Sequence, residues 1–390
     1  MNKNNIPKVR FPGFVDDWEQ RKLGDLCDEF QSGKNIKSDE IRDDDRYPVF
    51  GGNGHRGYTN IYSHDGLYAL IGRQGALCGN MNISYGKAYF TEHAVAVKAN
   101  KNNETRFLFY LLGKMNLGQY SGQSAQPGLA VNKLKELSAF IPTLEEQSQI
   151  ATFFKTLDHL ITLHQRKLNH LQNQKKSLLQ KMFPKDGADV PEIRFPGFTD
   201  AWEQRRMGEL APLRGGFAFK SGEFQEDGIP IVRISNILRS GEVGGEFTYY
   251  PEQEKDDNYL LPDKSAVLAM SGATTGKVSI LYNPNGGKVY QNQRVGYFTK
   301  TEVTDYGFVS TITRSQMFIE QLGAMLVAGA QPNISSKDID TMTFYVPTII
   351  EEQTKIGNFF KQLDETITLH QRKLDHLQEQ KKSLLQQMFI

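Results

Sequence analysis

The chain has 390 residues, 38% of them hydrophobic and 23% charged, with a formal net charge of +1. That length predicts two or three domains of a folded, water-soluble protein, and the balanced charge excludes a generally polycationic nucleic-acid binder while allowing a local basic face. No apolar run of about 18 residues occurs, "MNKNNIPKVRFPGF" has no secretory apolar region, and Cys27 and Cys78 are the only cysteines, so the expectation is no membrane span, no disulfide framework and a reducing, cytoplasmic setting.

The first recognisable stretch is "VRFPGFVDDWEQRKLGDL", residues 9–26. Residues 27–140 then alternate short apolar runs with Gly, Asn and Asp turns. "GLYALIG" (66–72) and "KAYFTEHAVAVKA" (87–99) read as strands, and "ETRFLFYLLGKMN" (104–116) as a helix. The turns carry basic and amide side chains: Asn53, His55, Arg56 and Tyr58 in "GGNGHRGYT", then Arg73 and Gln74 in "GRQG".

Residues 143–183 read as one long helix. Ile150, Phe154, Leu157, Ile161, His164, Leu168, Leu171, Lys175, Leu178 and Met182 recur at alternating spacings of four and three, the heptad seam of a coiled coil. Pro142 precedes the helix, Thr143 and Glu146 spell a T-x-x-E capping box, and Pro184 with Gly187 ends it.

The pattern then restarts. "IRFPGFTDAWEQRRMGEL" (193–210) repeats the opening motif 193 − 9 = 184 positions on. In residues 211–345, "IPIVRIS" (229–235) and "SAVLAMSG" (265–272) read as strands and "GFVSTITRSQMFIEQLGAM" (307–325) as a helix. Here the turns carry Arg233, Asn236 and Arg239 in "VRISNILRSG", Thr274, Thr275 and Lys277 in "SGATTGK", and Asn292, Gln293 and Arg294 in "YQNQR". Residues 348–390 give the second long helix, with seam residues Ile356, Phe360, Leu363, Ile367, His370, Leu374, Leu377, Lys381, Leu384 and Met388, and Thr348 and Glu351 as its capping box. The helical repeats lie 351 − 145 = 206 positions apart, and roughly three quarters of their positions are identical.

The two intervening bodies are much less alike. Ala125-Gln126-Pro127 matches Ala330-Gln331-Pro332, and Pro142-Thr143 matches Pro347-Thr348. This is duplication of a whole module. It predicts an α+β fold: mixed bodies at 1–142 and 184–347, and helices at 143–183 and 348–390. Each helix spans about 57 Å at about 1.5 Å per residue. Neither can hide its seam alone, so a pseudo-twofold, antiparallel pairing is expected, with His164 meeting His370 near the axis and fixing register. Lys175 and Lys381 are expected to snorkel out over packed stems.

Arg can donate twice to guanine, and Asn or Gln can pair twice with adenine. Taken singly, the turn residues named above are ordinary loop chemistry. Grouped at comparable places in both bodies, they are candidate DNA contacts. Catalytic signatures are missing. "SGATTGKV" has three residues between Gly272 and Gly276, not the four of a phosphate-binding loop, and reads as strand–turn–strand. His159, His164 and His170 lack i, i+4 spacing, and the cysteines are 78 − 27 = 51 apart, so no zinc site is expected. There is no Gly-x-Ser-x-Gly elbow or dinucleotide fingerprint, and Asn283-Pro284-Asn285 lacks the second proline and aromatic of an amino-methyltransferase loop. A duplicated chain without these is a reader or a scaffold.

Two divergent bodies, each closed by "QP" and "P-T-x-x-E-Q…I…F…LD…I" and followed by a near-identical helix, with the Glu145-Glu146-Gln147 and Glu351-Glu352-Gln353 starts, resemble the specificity subunit of type I restriction–modification enzymes over essentially the whole chain. The resemblance implies two target recognition domains, each reading one half of a bipartite, asymmetric double-stranded DNA site, and two conserved spacer helices. It implies docking of two modification subunits, which use S-adenosylmethionine to methylate adenine N6, and of two restriction subunits using ATP and Mg. It implies no catalysis and no cofactor in this chain. The alternatives are a stand-alone, pseudo-dimeric DNA-binding regulator and a coiled-coil scaffold that binds only protein.

Overall fold

The seam residues form two helices, Leu144–Lys181 and Ile350–Met388, of 38 and 39 residues. The computed structural model describes residues 5–390 except 76, 123–127, 186, 284 and 329–332, so the two Ala-Gln-Pro anchors and Pro284 lie outside the described residues. The chain divides into unit 1, Met1–Arg166 with Gln371–Ile390, and unit 2, Lys167–His370. Both boundaries fall inside the long helices, so each unit holds a segment of each helix.

Within each unit those segments run antiparallel. In unit 1, Phe154 lies 6.0 Å from Phe389 between ring centroids, and four residues on, Asp158 meets Lys381 at 2.6 Å. In unit 2, Lys175 meets Asp364 at 2.5 Å, while Met182 and Phe183 share a core with Ile356 and Phe360. Ile150, Phe154, Leu157, Leu168, Leu171, Ile356, Phe360 and Leu374 are buried, and Ile161, His164, Leu363, Ile367, His370 and Leu377 are half-buried. The heptad stripe is thus the covered face. The lysines differ from expectation. Lys175 and Lys381 do not snorkel out; each is half-buried and ion-paired to an aspartate on the opposing helix. Tyr110 also donates to Asp158 at 2.7 Å, and Arg314 to Asp364 at 2.5 Å.

Unit 1 contains strands β1 (Glu19–Lys22), β2 (Cys27–Ser32), β3 (Tyr47–Gly51), β4 (Gly54–Thr59), β5 (His64–Asp65), β6 (Tyr68–Gly72), β7 (Met81–Ser84), β8 (Lys87–Phe90), β9 (Ala94–Ala99) and β10 (Ser138–Ile141). One sheet has the order β2-β9-β6-β7 and a second β4-β3-β8-β5, with β3 and β8 parallel. The first sheet is buried on both faces, and the alternation along β6 shows why. Ala69 and Ile71 face helix Thr105–Lys114 and the long helices, while Tyr68 and Leu70 face Phe90 of the second sheet.

Unit 2 repeats this plan with β11 (Glu203–Arg206), β12 (Leu213–Arg214), β13 (Ile229–Val232), β14 (Thr248–Tyr250), β15 (Ala266–Ala269), β16 (Val278–Ile280), β17 (Tyr290–Gln291), β18 (Val295–Phe298) and β19 (Thr343–Val346). Its sheets are β12-β18-β15-β16 and β14-β13-β17. "SGATTGKV" is indeed a turn between antiparallel strands, β15 and β16. The single helix expected over 307–325 is two, Tyr306–Ile312 and Gln316–Ala328. Ser315 Oγ accepts from Phe318 N–H at 3.3 Å and starts the second, and Arg314 leaves the axis to reach Asp364.

The repeated opening motif has a structural cause. Its Glu-Gln strand pairs antiparallel with the strand leading into a long helix, β1 with β10 and β11 with β19. Trp18 packs edge-on against Phe107 and Phe389, and Trp202 against Phe308 and Phe183. Phe11 meets Phe153 and Phe195 meets Phe359, each at 5.8 Å. Arg10 makes a bidentate pair with Glu146 at 2.7 and 2.8 Å, and Arg194 repeats it with Glu352 at the same distances. The first capping box is half made: Glu146 N–H donates to Thr143 Oγ1 at 3.5 Å, but the Glu146 carboxylate goes to Arg10; in the second, Glu351 pairs with Lys355. Gln147 donates to Pro142 O and accepts from Glu104 N–H, as Gln353 does with Pro347 O and Asp305 N–H. The Glu-Gln pair opening each helix thus locks a body to its helix start.

Candidate nucleic-acid interface

The residues singled out from the turns converge because three segments of each unit are stitched by main-chain hydrogen bonds. In unit 1 the β6–β7 turn closes through Gly72 N–H to Asn80 O and Gly79 N–H to Gly72 O, both 2.8 Å, and Cys78 N–H to Gly75 O at 3.0 Å. In unit 2 the β15–β16 turn closes through Ala269 N–H to Lys277 O and Gly276 N–H to Ala269 O, both 2.9 Å, and Thr275 N–H to Gly272 O at 3.1 Å. Gly75 and Gly79 have φ of 85° and 89°, and Gly272 and Gly276 both 82°, a region open to glycine.

The next segment is the β8–β9 turn and its counterpart between β17 and β18. Ala94 N–H bonds Thr91 O, and Val295 N–H bonds Asn292 O, both at 2.9 Å. These turns are tied to the first by Arg73 N–H to His93 O at 2.8 Å and by Met270 N–H to Arg294 O at 3.0 Å. They are tied to the end of the third segment by Thr91 N–H to Phe50 O at 2.9 Å and by Asn292 N–H to Val232 O at 3.1 Å. The backbones agree bond for bond; the side chains they present do not.

On this frame in unit 1, Asn53 is exposed at the β3–β4 hairpin tip, followed by exposed His55 and Arg56. Half-buried Tyr58 stands edge-on to His55 at 4.7 Å. Gln74 is exposed, whereas Arg73 folds back on Leu129 O and Glu92 O at 3.4 and 3.5 Å. In unit 2, Gln293 and Arg294 are exposed, and Asn292 and Lys277 half-buried. Thr274 donates to Ile234 O at 3.0 Å and Thr275 to Gly272 O at 2.6 Å, so both hydroxyls hold the turn. Arg233 is half-buried 6.0 Å over the Phe224 ring, and its Nε has no hydrogen-bond partner. Two candidates do not join the group. Asn236 is fully buried and bonds Gly244 O, Glu246 O and Arg233 N–H, so its amide shapes the loop. Arg239 is exposed beside Ser240, which lies with Lys175 and Arg314 against the long helices.

Sequence reasoning missed Glu92 and His93. They sit within residues 87–99, a run read for its strands and not for a reading turn, but occupy the places of Gln293 and Arg294. Aligning "YFTEHAV" with "YQNQRVG" as strand–turn–strand would have found them. Ser63, His64 and Glu29 form a chain with nucleophile–base–acid connectivity, at 2.7 and 2.9 Å. It is a buttress: Ser63 Oγ also accepts from Phe90 N–H, and His64 is stacked on the Phe90 ring at 4.4 Å. Against the cost of burial, hydrogen bonds from Gln31, Tyr68 and His64 hold the Glu29 pKa below its ordinary value, and burial plus Glu29 push Tyr68 up to about 12. No helix is long and apolar enough to cross a membrane, and no metal-holding cluster occurs, among the described residues.

The model of the type I restriction modification DNA specificity domain matches residues 15–173 and again 199–379. The EcoprrI specificity subunit of a type I restriction enzyme from Escherichia coli is 46% identical over 151 residues, 37% of each chain. The MjaVIII specificity subunit from Methanocaldococcus jannaschii is 26% identical over 73% of this chain and 69% of that one. The S subunit of the type I restriction–modification system of M. genitalium has the same fold, with a TM-score of 0.71, 15% identity and 99% of both chains covered. The chain therefore belongs to the type I restriction–modification DNA specificity family, one copy of the domain in each half.

Proposed function

We propose that this chain is the DNA sequence-specificity subunit of a type I restriction–modification system. Each unit reads one half of a bipartite, asymmetric double-stranded site, and the subunit docks modification and restriction subunits, two of each. The observation that carries this is the duplicated frame: one hydrogen-bonded backbone, presented twice with unlike side chains. That is what reading two unlike half-sites requires. Phosphate contacts position such a frame, and base-edge contacts specify the sequence. The named specificity subunits among its relatives favour this reading over a stand-alone regulator.

The chain carries no catalysis of its own in this reading. Methyl transfer from S-adenosylmethionine to adenine N6, and ATP- and Mg-dependent restriction, belong to the partners. The constant parts serve them: near-identical helices and opening motifs offer like surfaces to like partners. The test is to co-express the chain with modification subunits and map N6-methyladenine. Replacing residues 27–140 by another recognition body changes one half of the methylated sequence; a change in both halves defeats the modular reading. A chain that binds its site at full affinity without a partner favours the regulator instead.

A further inference from the structure

We propose that the short β8–β9 turn, with its counterpart between β17 and β18, selects the base read in each half-site. In unit 1, Glu92 accepts from the exocyclic amino group of a cytosine or adenine; in unit 2, Gln293 and Arg294 pair with adenine and guanine edges. This rests on the chain being a DNA specificity subunit, and it brings in two residues that composition did not suggest.

Three observations support it. The first is position. His93 and Arg294 receive the same bond from the neighbouring turn, through their carbonyl oxygens, and the residue before each turn is anchored the same way to Phe50 O or Val232 O. Backbone bonds fix the height and direction of both tips, so only the side chains differ. The second is access. Glu92 and His93 are 38% and 41% exposed in their side chains, and Gln293 and Arg294 are exposed. The third is an unmet bond. Glu92 Oε1 lies 3.3 Å from His93 Nε2, but Glu92 Oε2 is shielded from water with no hydrogen-bond partner. Arg233 Nε is in the same condition in unit 2, next to the residue that anchors Asn292. Buried polar atoms nearly always find partners. Here an acceptor on the unit 1 tip, and a donor beside the anchor of the unit 2 tip, lack one.

The chemistry then divides cleanly. An ionised carboxylate only accepts, and the donors a base offers in the major groove are cytosine N4 and adenine N6. Glutamine both donates and accepts, which suits adenine N6 and N7, and arginine only donates, which suits guanine O6 and N7. The same frame therefore reads different bases by exchange of two side chains.

The double variant Glu92→Gln with His93→Arg places the unit 2 tip on the unit 1 frame. Assembled with modification subunits, it should methylate sites whose second half is unchanged and whose first half differs at one or two adjacent positions. Methylation of the original first half-site should fall about 5- to 100-fold, the range of one good base contact. Full retention of the original first half-site overturns the proposal, and so does any change in the second. If the double variant fails to join the complex, Glu92→Ala, which removes the acceptor, serves alone, and undiminished methylation of the original site again overturns it. A wild-type complex that methylates no bipartite site defeats the specificity-subunit reading instead, so the two failures are told apart.

Discussion

Replacing Phe183 by alanine should destabilise unit 2 and spare unit 1, although Phe183 follows the first long helix. Its ring is buried, stacked on Phe308 at 5.8 Å and edge-on to Trp202 at 6.1 Å. Removing a buried phenylalanine costs about 3–5 kcal/mol, and each lost aromatic pair accounts for about 0.5–1.5 kcal/mol of it. Phe389 is the matching residue of unit 1, 5.3 Å from Phe107 and 6.3 Å from Trp18. Native-state hydrogen exchange separates the two. Phe183→Ala should lower protection in Tyr306–Ile312 on the order of a hundred- to several-thousand-fold, following from about 3–5 kcal/mol, and leave Thr105–Lys114 within threefold or so. Phe389→Ala should do the reverse. Loss of protection in Thr105–Lys114 on substituting Phe183, with Tyr306–Ile312 intact, would refute the assignment of each helix end to the unit holding the other copy of the opening motif.

Glu352→Gln breaks a bidentate pair in which the carboxylate is 1% exposed, leaving Arg194 charged and poorly matched. Denaturant melts of unit 2 should show a loss of about 3–5 kcal/mol, recovered in part when Arg194 is removed as well. Asp364 gives a pH dependence of known sign. Burial works against its charge, but Arg314 and Lys175 overcome that and hold its pKa below 3.8. The stability it contributes is present above pH 3.8 and is lost as pH falls through the depressed value, so Asp364→Asn should flatten the acid limb of unit 2's stability curve. Lys175 works in the other direction: burial and Arg314 lower its pKa from 10.5, and Asp364 is what makes its charge tolerable at neutral pH.

The helices were legible because a heptad stripe persists over ten positions in each copy, and covered faces follow from that period. The body strands were legible where apolar runs met glycine turns. Four things were hidden. The break at Ser315 depends on one hydroxyl capping Phe318 and on Arg314 finding Asp364 in another element, which local propensity does not encode. Asp158 and Asp364 carry no local signal, because their partners lie on the opposing helix and in the adjoining body. Asn236 looked like a surface amide because it stands among polar turn residues, yet it is buried with three bonds satisfied. Glu92 and His93 escaped for the opposite reason: their turn contains no Gly, Pro, Asn or Asp, and only its match to the second copy marks it.

A frame made of main-chain bonds has a consequence for which substitutions change the sequence read and which abolish reading. Gln74, Glu92 and His93 contribute no carbonyl or amide that depends on their identity, so they can be exchanged while the turns keep their shape. The glycines cannot. Gly79 has φ of 89°, and a Cβ there would lie 2.2 Å from the backbone nitrogen of Gly118. An alanine must leave that region, at about 1–2 kcal/mol if it stays, and must also push main chain aside. Gly79→Ala should therefore depress methylation wherever unit 1 is needed, without creating a new first half-site, while the complex still assembles through the long helices. Mapping N6-methyladenine against co-purification of the partners separates the outcomes. A Gly79→Ala chain that methylates a new, well-defined first half-site would mean that the frame itself carries sequence information, and the separation of constant backbone from variable side chains would fail.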